Sequence, residues 1–99
     1  MLSITKETRE GTMILALEGR LDTGSAPQLE AELKQSVSGV SCLIFDLKDL
    51  EYTSSAGLRV LLSAQKVMNK QGEMIVRNVN ETIMEVFEVT GLVDILTIQ

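Results

Sequence analysis

The 99 residues can build one domain around a single modest core, and 44% apolar with 23% charged residues is the composition of a folded globular chain. A net charge of −5 and 3% aromatic residues argue against nucleic acid as a partner, since phosphates need clustered Lys and Arg and single strands need stacking platforms. The absence of histidine removes Ser-His-Asp, Cys-His and histidine-metal chemistry, and no apolar run approaches the ~20 residues of a membrane span. Cys42 is the single cysteine, so an intramolecular disulfide is impossible. Met1 to Glu7 show no basic stretch followed by an apolar block, and the expected location is the cytoplasm.

Leu2 and Ile4, then Met13 to Leu17, predict two strands joined by the polar turn Glu7 to Gly11, an N-terminal hairpin. Gly19 to Gly24 reads as a loop. Ser25 and Gln28 have the spacing of a capping box at the start of a helix, with the only proline, Pro27, in its first turn. Ala26, Leu29, Leu33 and Val37 form the buried stripe of that helix, which ends near Gly39. Residues 42–47 predict a strand and residues 48–55 a loop. A helix follows from about 55 to 70, with Gly72 as its stop. Met74 to Val76 make a short strand. Asn80 caps a third helix with Ile83, Val86 and Phe87 inward, ending at Thr90-Gly91, and Ile95 to Ile98 predict a last strand. The order is ββαβαβαβ. Strands alternating with helices give an α/β fold: one domain over 1–99 with a mixed, mostly parallel sheet and right-handed crossovers.

In such sheets ligands and partners meet the loops at the carboxyl ends of the strands. The loops at 18–25 and 48–55 both follow strands, which makes Asp22 and Ser55 candidates for one surface. Ser54 and Ser55 open a helix, where unpaired N–H groups and the macrodipole favour negative charge. A serine there can be a cap, an anion ligand or a phosphate acceptor; on position alone, capping is the simplest role. Ala56-Gly57 let another backbone approach the helix start, although tight packing on the chain's own sheet would need the same small residues. Gly19 to Ser25 is a near miss to a phosphate-binding loop, with Ser25 where the lysine is required. Asp22, Asp46, Asp49 and Glu51 could offer oxygen ligands, but their spacing matches no cation loop, and a solvated acidic rim accounts for them. No metal, cofactor or enzymatic activity is expected.

Four blocks taken together resemble the STAS domain: Gly19-Arg20-Leu21-Asp22, Phe45-Asp46-Leu47-Lys48-Asp49-Leu50, Ser54-Ser55-Ala56-Gly57-Leu58 and Val86 to Leu92. More narrowly, the chain is similar to the bacterial anti-sigma factor antagonists, which are stand-alone domains of this length. The resemblance implies a non-enzymatic regulator of transcription that works by partner switching. The unmodified antagonist binds an anti-sigma factor that is also a serine kinase, and so frees the sigma factor. Phosphorylation ends the binding and a phosphatase restores it. In the family an Asp-Ser-Ser-Gly or Asp-Ser-Thr-Gly stretch begins the helix. Aligning the Gly-Leu pair puts the acceptor on Ser55, with Ser54 in place of the aspartate and Ala56 in place of the second hydroxyl residue. Asp22 matches an aspartate near the acceptor. The expected contact set is Asp22, Thr23, Ser54, Ser55, Ala56, Gly57, Leu58 and Arg59. The alternative is an unphosphorylated STAS adaptor subunit docked on an ABC-transporter ATPase.

Overall fold

A two-residue turn sets the first geometry. Glu10 and Gly11 take φ of +47° and +85°, the left-handed pair that matches the twist of a tight hairpin. Strand β1 (Leu2–Arg9) therefore reaches the turn and pairs antiparallel with β2 (Thr12–Leu21), from Leu2 opposite Gly19 to Arg9 opposite Thr12. Helix α1 (Ala26–Ser36) leads to β3 (Cys42–Thr53), α2 (Ser55–Gln71) to β4 (Glu73–Arg77), and α3 (Glu81–Thr90) to a 3₁₀ turn at Leu92–Asp94. The sheet order is β1-β2-β3-β4, with β2, β3 and β4 mutually parallel. This computed structural model describes residues 1–99.

Alternation places Met13, Leu15, Leu17, Leu43, Phe45, Leu47, Met74 and Val76 on one face, each at most 1% exposed. The helices close that face with Leu29 and Leu33 of α1, Leu58, Leu61 and Met68 of α2, and Ile83 and Phe87 of α3, all in one continuous core. Burial of each large apolar side chain contributes about 1.5–3 kcal/mol. Asn80 ties α3 to the sheet twice: its carbonyl oxygen accepts the Ile83 N–H at 2.9 Å and its amide donates to the Leu50 carbonyl at 2.7 Å.

The first two strands run longer than expected, β1 through Glu7–Arg9 and β2 through Gly19–Leu21, and three further sequence expectations change. The segment from Lys48 to Thr53 is strand, not loop. Ala16 pairs with Asp46 and Glu18 with Asp49, then Gly19 with Leu50 and Arg20 with Tyr52, so β3 twice spends one residue more than β2. Each is a bulge. The exposed doublets Lys48-Asp49 and Glu51-Tyr52 occupy them, and Leu47, Leu50 and Thr53 reach the core at a spacing of three. The last strand shrinks to a single parallel bridge between Val76 and Ile98. Leu92 and Leu96 are buried one helical turn apart and the Leu96 N–H donates to the Leu92 carbonyl at 2.9 Å, so residues 92–96 coil where a strand would alternate.

The third change concerns the capping box. Ser25 lies in the right-handed helical region at φ −102°, ψ −15° and makes no side-chain cap. A cap hydroxyl reaches the N–H groups ahead of it from extended backbone, and Ser25 lacks that backbone. Gln28 instead donates to the Leu2 carbonyl at 3.1 Å, pinning α1 to β1. No helix is long and apolar enough to cross a membrane.

Candidate functional site

Because β2 and β3 run parallel, their carboxyl ends open on the same edge. Leu21 pairs with Thr53, and the Ser54 N–H donates to the Leu21 carbonyl at 2.9 Å. The turn at residues 22–25 and the start of α2 are thereby locked side by side.

The Asp22 turn is built from mutual hydrogen bonds. Asp22 Oδ1 accepts the Ser25 N–H at 3.0 Å, and the Asp22 N–H donates to Ser25 Oγ at 2.9 Å. Ser25 Oγ also lies 2.8 Å from the Arg20 carbonyl oxygen and 3.1 Å from Asp22 Oδ1. The Asp22 carbonyl accepts the N–H groups of Ser25 and Ala26, so this residue closes the start of α1 in place of the expected box. The bond from the Ser25 N–H, and then the one from its hydroxyl, hold the Asp22 carboxyl below its ordinary pKa of 3.8. A depressed folded pKa contributes stability that is fully present above 3.8 and lost as the pH falls through the folded value. Denaturant titrations should therefore find the wild type more stable than Asp22→Asn near neutrality. The difference should vanish in strong acid; a gap that persists there would place the role of Asp22 elsewhere.

Ser54 and Ser55 divide the work at the start of α2. Ser54 is extended at φ −100°, ψ 175° and its Oγ accepts the Gly57 N–H at a long 3.5 Å, so it is the cap. Ser55 is the first helical residue and is exposed. Thr53 is buried and donates to the Ser54 carbonyl at 3.3 Å. One hydroxyl of the three thus faces solvent freely.

Of the other expected contact residues, Thr23 and Arg59 are exposed, and Asp22, Ser54 and Ala56 are half-buried. Thr23, Ala56 and Arg59 line a groove of about 320 Å³ between the first turns of α1 and α2, whose floor includes Ala26 and Val60. Gly57 and Leu58 are buried, so they reach a partner only by positioning the helix. A Cβ on Gly57 would stand 2.6 Å from Leu21 Cγ and 2.7 Å from Thr53 Oγ1. The small residue serves the chain's own packing.

The same edge carries a pair that periodicity did not reveal. The Arg20 guanidinium sits 4.2 Å from the centre of the Tyr52 ring, and Arg20 Nε lies 3.8 Å from Asp22 Oδ2. The second bulge puts Tyr52 opposite Arg20, so the pair is visible only once the register is known. No group of three or more Cys, Asp or Glu side chains converges as a metal site.

Comparison with known proteins agrees with this architecture. The STAS domain family model matches residues 3–99. BtrV of Bordetella bronchiseptica, provisionally named an anti-sigma factor antagonist, is 37% identical over 98% of this chain and 85% of its own. The anti-sigma-B factor antagonist of Bacillus subtilis is 31% identical over 98% of this chain and 90% of its own. An anti-sigma factor antagonist from Mycobacterium paratuberculosis superposes with a TM-score of 0.90 at 22% identity, over 99% of this chain and 85% of its own. The chain belongs to the STAS domain family and, within it, to the anti-sigma factor antagonists.

Proposed function

We propose that this protein is a phosphorylation-controlled partner switch: it binds an anti-sigma factor kinase while Ser55 is free and is released once Ser55 carries phosphate. A phosphatase acting on phosphorylated Ser55 resets the cycle. The observation that supports this reading is the division of hydroxyls at the start of α2. Thr53 is buried and Ser54 is engaged as the cap, while Ser55 is exposed beside the Asp22 turn. In the transfer step Ser55 Oγ bonds to the γ-phosphorus of ATP as the bond to ADP breaks, and the serine proton passes to a base of the kinase. The chain contributes the nucleophile and its placement, and no catalysis of its own.

Electrostatics separates the effect on the fold from the effect on the complex. Phosphate adds about −1.5 to −2 charges at neutral pH. At a helix N-terminus that charge is stabilised by about 0.3–1 kcal/mol, so the domain tolerates it. At a docked interface the same dianion is desolvated and lies near the depressed-pKa carboxylate of Asp22.

Incubation with the cognate anti-sigma kinase and ATP, followed by intact-mass and fragment analysis, should find one phosphate, on Ser55. Phosphate on Ser54 alone would move the switch to the cap. A chain that neither binds the kinase nor accepts phosphate would favour the adaptor reading.

A further inference from the structure

Two arginines flank the start of α2, and only one of them is engaged. Arg20 stacks on Tyr52 and its Nε lies 3.8 Å from Asp22 Oδ2. Arg59 is exposed and belongs to none of the chain's ion pairs, which are Lys6–Glu32, Arg20–Asp22 and Arg77–Asp46.

Helix geometry points the free cation at Ser55. The two residues stand four positions apart on α2, so about one turn and 6 Å of rise separate them on one face. Helical side chains lean back toward the N-terminus, so the long Arg59 side chain covers the turn that Ser55 begins. Of the residues between them, Gly57 and Leu58 are buried and Ala56 is small, which leaves the path open. A serine hydroxyl carries no charge for this cation to hold. A phosphate there offers three acceptor oxygens and about −1.5 to −2 charges, a match for the planar, bidentate guanidinium. The carboxylates that compete for Arg59 are Asp22, already bonded by Ser25 and paired with Arg20, and Glu30, which shares the groove from α1. Neither is a dianion on the same face of the same helix.

We propose that Arg59 clamps the phosphate on Ser55 and is thereby withdrawn from the partner-binding edge. The inference rests on Ser55 being the switch, and it gives release of the kinase a second arm. Before modification Arg59 stands unpaired on the wall of the α1–α2 groove, free to meet an acidic group of the kinase. After modification the same cation is held within its own chain, so that contact is lost as the dianion appears.

Phosphoserine installed at position 55 during synthesis of the full chain tests the clamp without any kinase. Titration followed by phosphorus NMR should give the phosphate a second pKa about 0.3 unit or more lower in the wild type than in Arg59→Gln. A nearby cation favours the dianion, so removing it raises that pKa toward the ordinary value of about 6. Arg59→Lys should restore most of the difference, while Lys66→Gln, about three turns along α2, should change nothing. Equal pKa values in the wild type and Arg59→Gln overturn the clamp, as does an equal shift from Lys66→Gln.

Kinase titrations read the second arm. Arg59→Gln should weaken binding of the unmodified chain about fivefold and leave the affinity of the phosphorylated chain unchanged. Phosphorylation then weakens the variant about two hundredfold, where it weakens the wild type about a thousandfold. An equal or larger loss in Arg59→Gln overturns the withdrawal. A kinase that leaves Ser55 unmodified would sink the switch reading alone, because the installed phosphoserine still reports on Arg59.

Discussion

Phosphorylation of Ser55 should weaken the complex with the anti-sigma kinase about a thousandfold, equivalent to about 4 kcal/mol, while leaving the fold almost untouched. The small effect on the fold follows from where the hydroxyl sits. Ser55 is exposed at the first position of α2, outside the capping bond that Ser54 makes to Gly57. An anion there meets the positive end of the helix and bulk water, and nothing in the core must move to admit it. The large effect on the complex follows from desolvation, since a partner that seals this edge strips water from the dianion. Ser55→Asp carries about half the charge and should cost roughly 2 kcal/mol of binding, about thirtyfold. Thermal unfolding and titration of the two proteins test both halves together. A stability change confined to about 0.5 kcal/mol is the expectation for a surface substitution. Loss of several kcal/mol on Ser55→Asp would mean that the serine is structural and would overturn its assignment as the switch.

Local pattern carried some features of this edge and not others. The start of α2 was legible because hydroxyl residues precede a strong helical period, and the Asn80 cap of α3 was legible for the same reason. The stop at Gly72 fell within a residue of the end of α2 at Gln71. Two parallel strands feeding this edge followed from the alternation of strand and helix. The second half of β3 was hidden, because Lys48-Asp49 and Glu51-Tyr52 look like loop to any reading that assumes a period of two. Only pairing with β2 shows that each doublet is a bulge. The Arg20–Tyr52 stack depends on that register and was hidden with it. Ser25 had the spacing of a cap but not the backbone angles, which are decided by the Asp22 turn before it. In each case the missing information was a long-range pairing or a dihedral, neither of which a local pattern carries.

Gly57 shows how such a difference changes the meaning of an experiment. Two small residues at a helix start suggest room for a partner, and a bulky substitution would then seem to block binding by overlap. The side chain would in fact point inward. Its Cβ would press on Leu21 Cγ at 2.6 Å, Leu21 Cδ2 at 2.9 Å and Thr53 Oγ1 at 2.7 Å. Leu21 is fully buried and Thr53 nearly so, and their strands are paired at this point, so neither can retreat into solvent. Gly57→Ala gains about 1 kcal/mol of helix propensity against an overpacking cost of about 1–3 kcal/mol, for a modest net loss. Gly57→Leu adds three further carbons to the same contact and should cost about 3 kcal/mol or more, which is a large share of the stability of a domain this size. Chemical denaturation should show that order, Gly57→Leu well below Gly57→Ala and both below wild type. Because α2 starts at this contact, Gly57→Leu should also lose kinase binding, but through displacement of Ser55 and not through contact with the partner. Wild-type stability combined with lost binding for Gly57→Leu would reverse the argument and put the residue back on the surface.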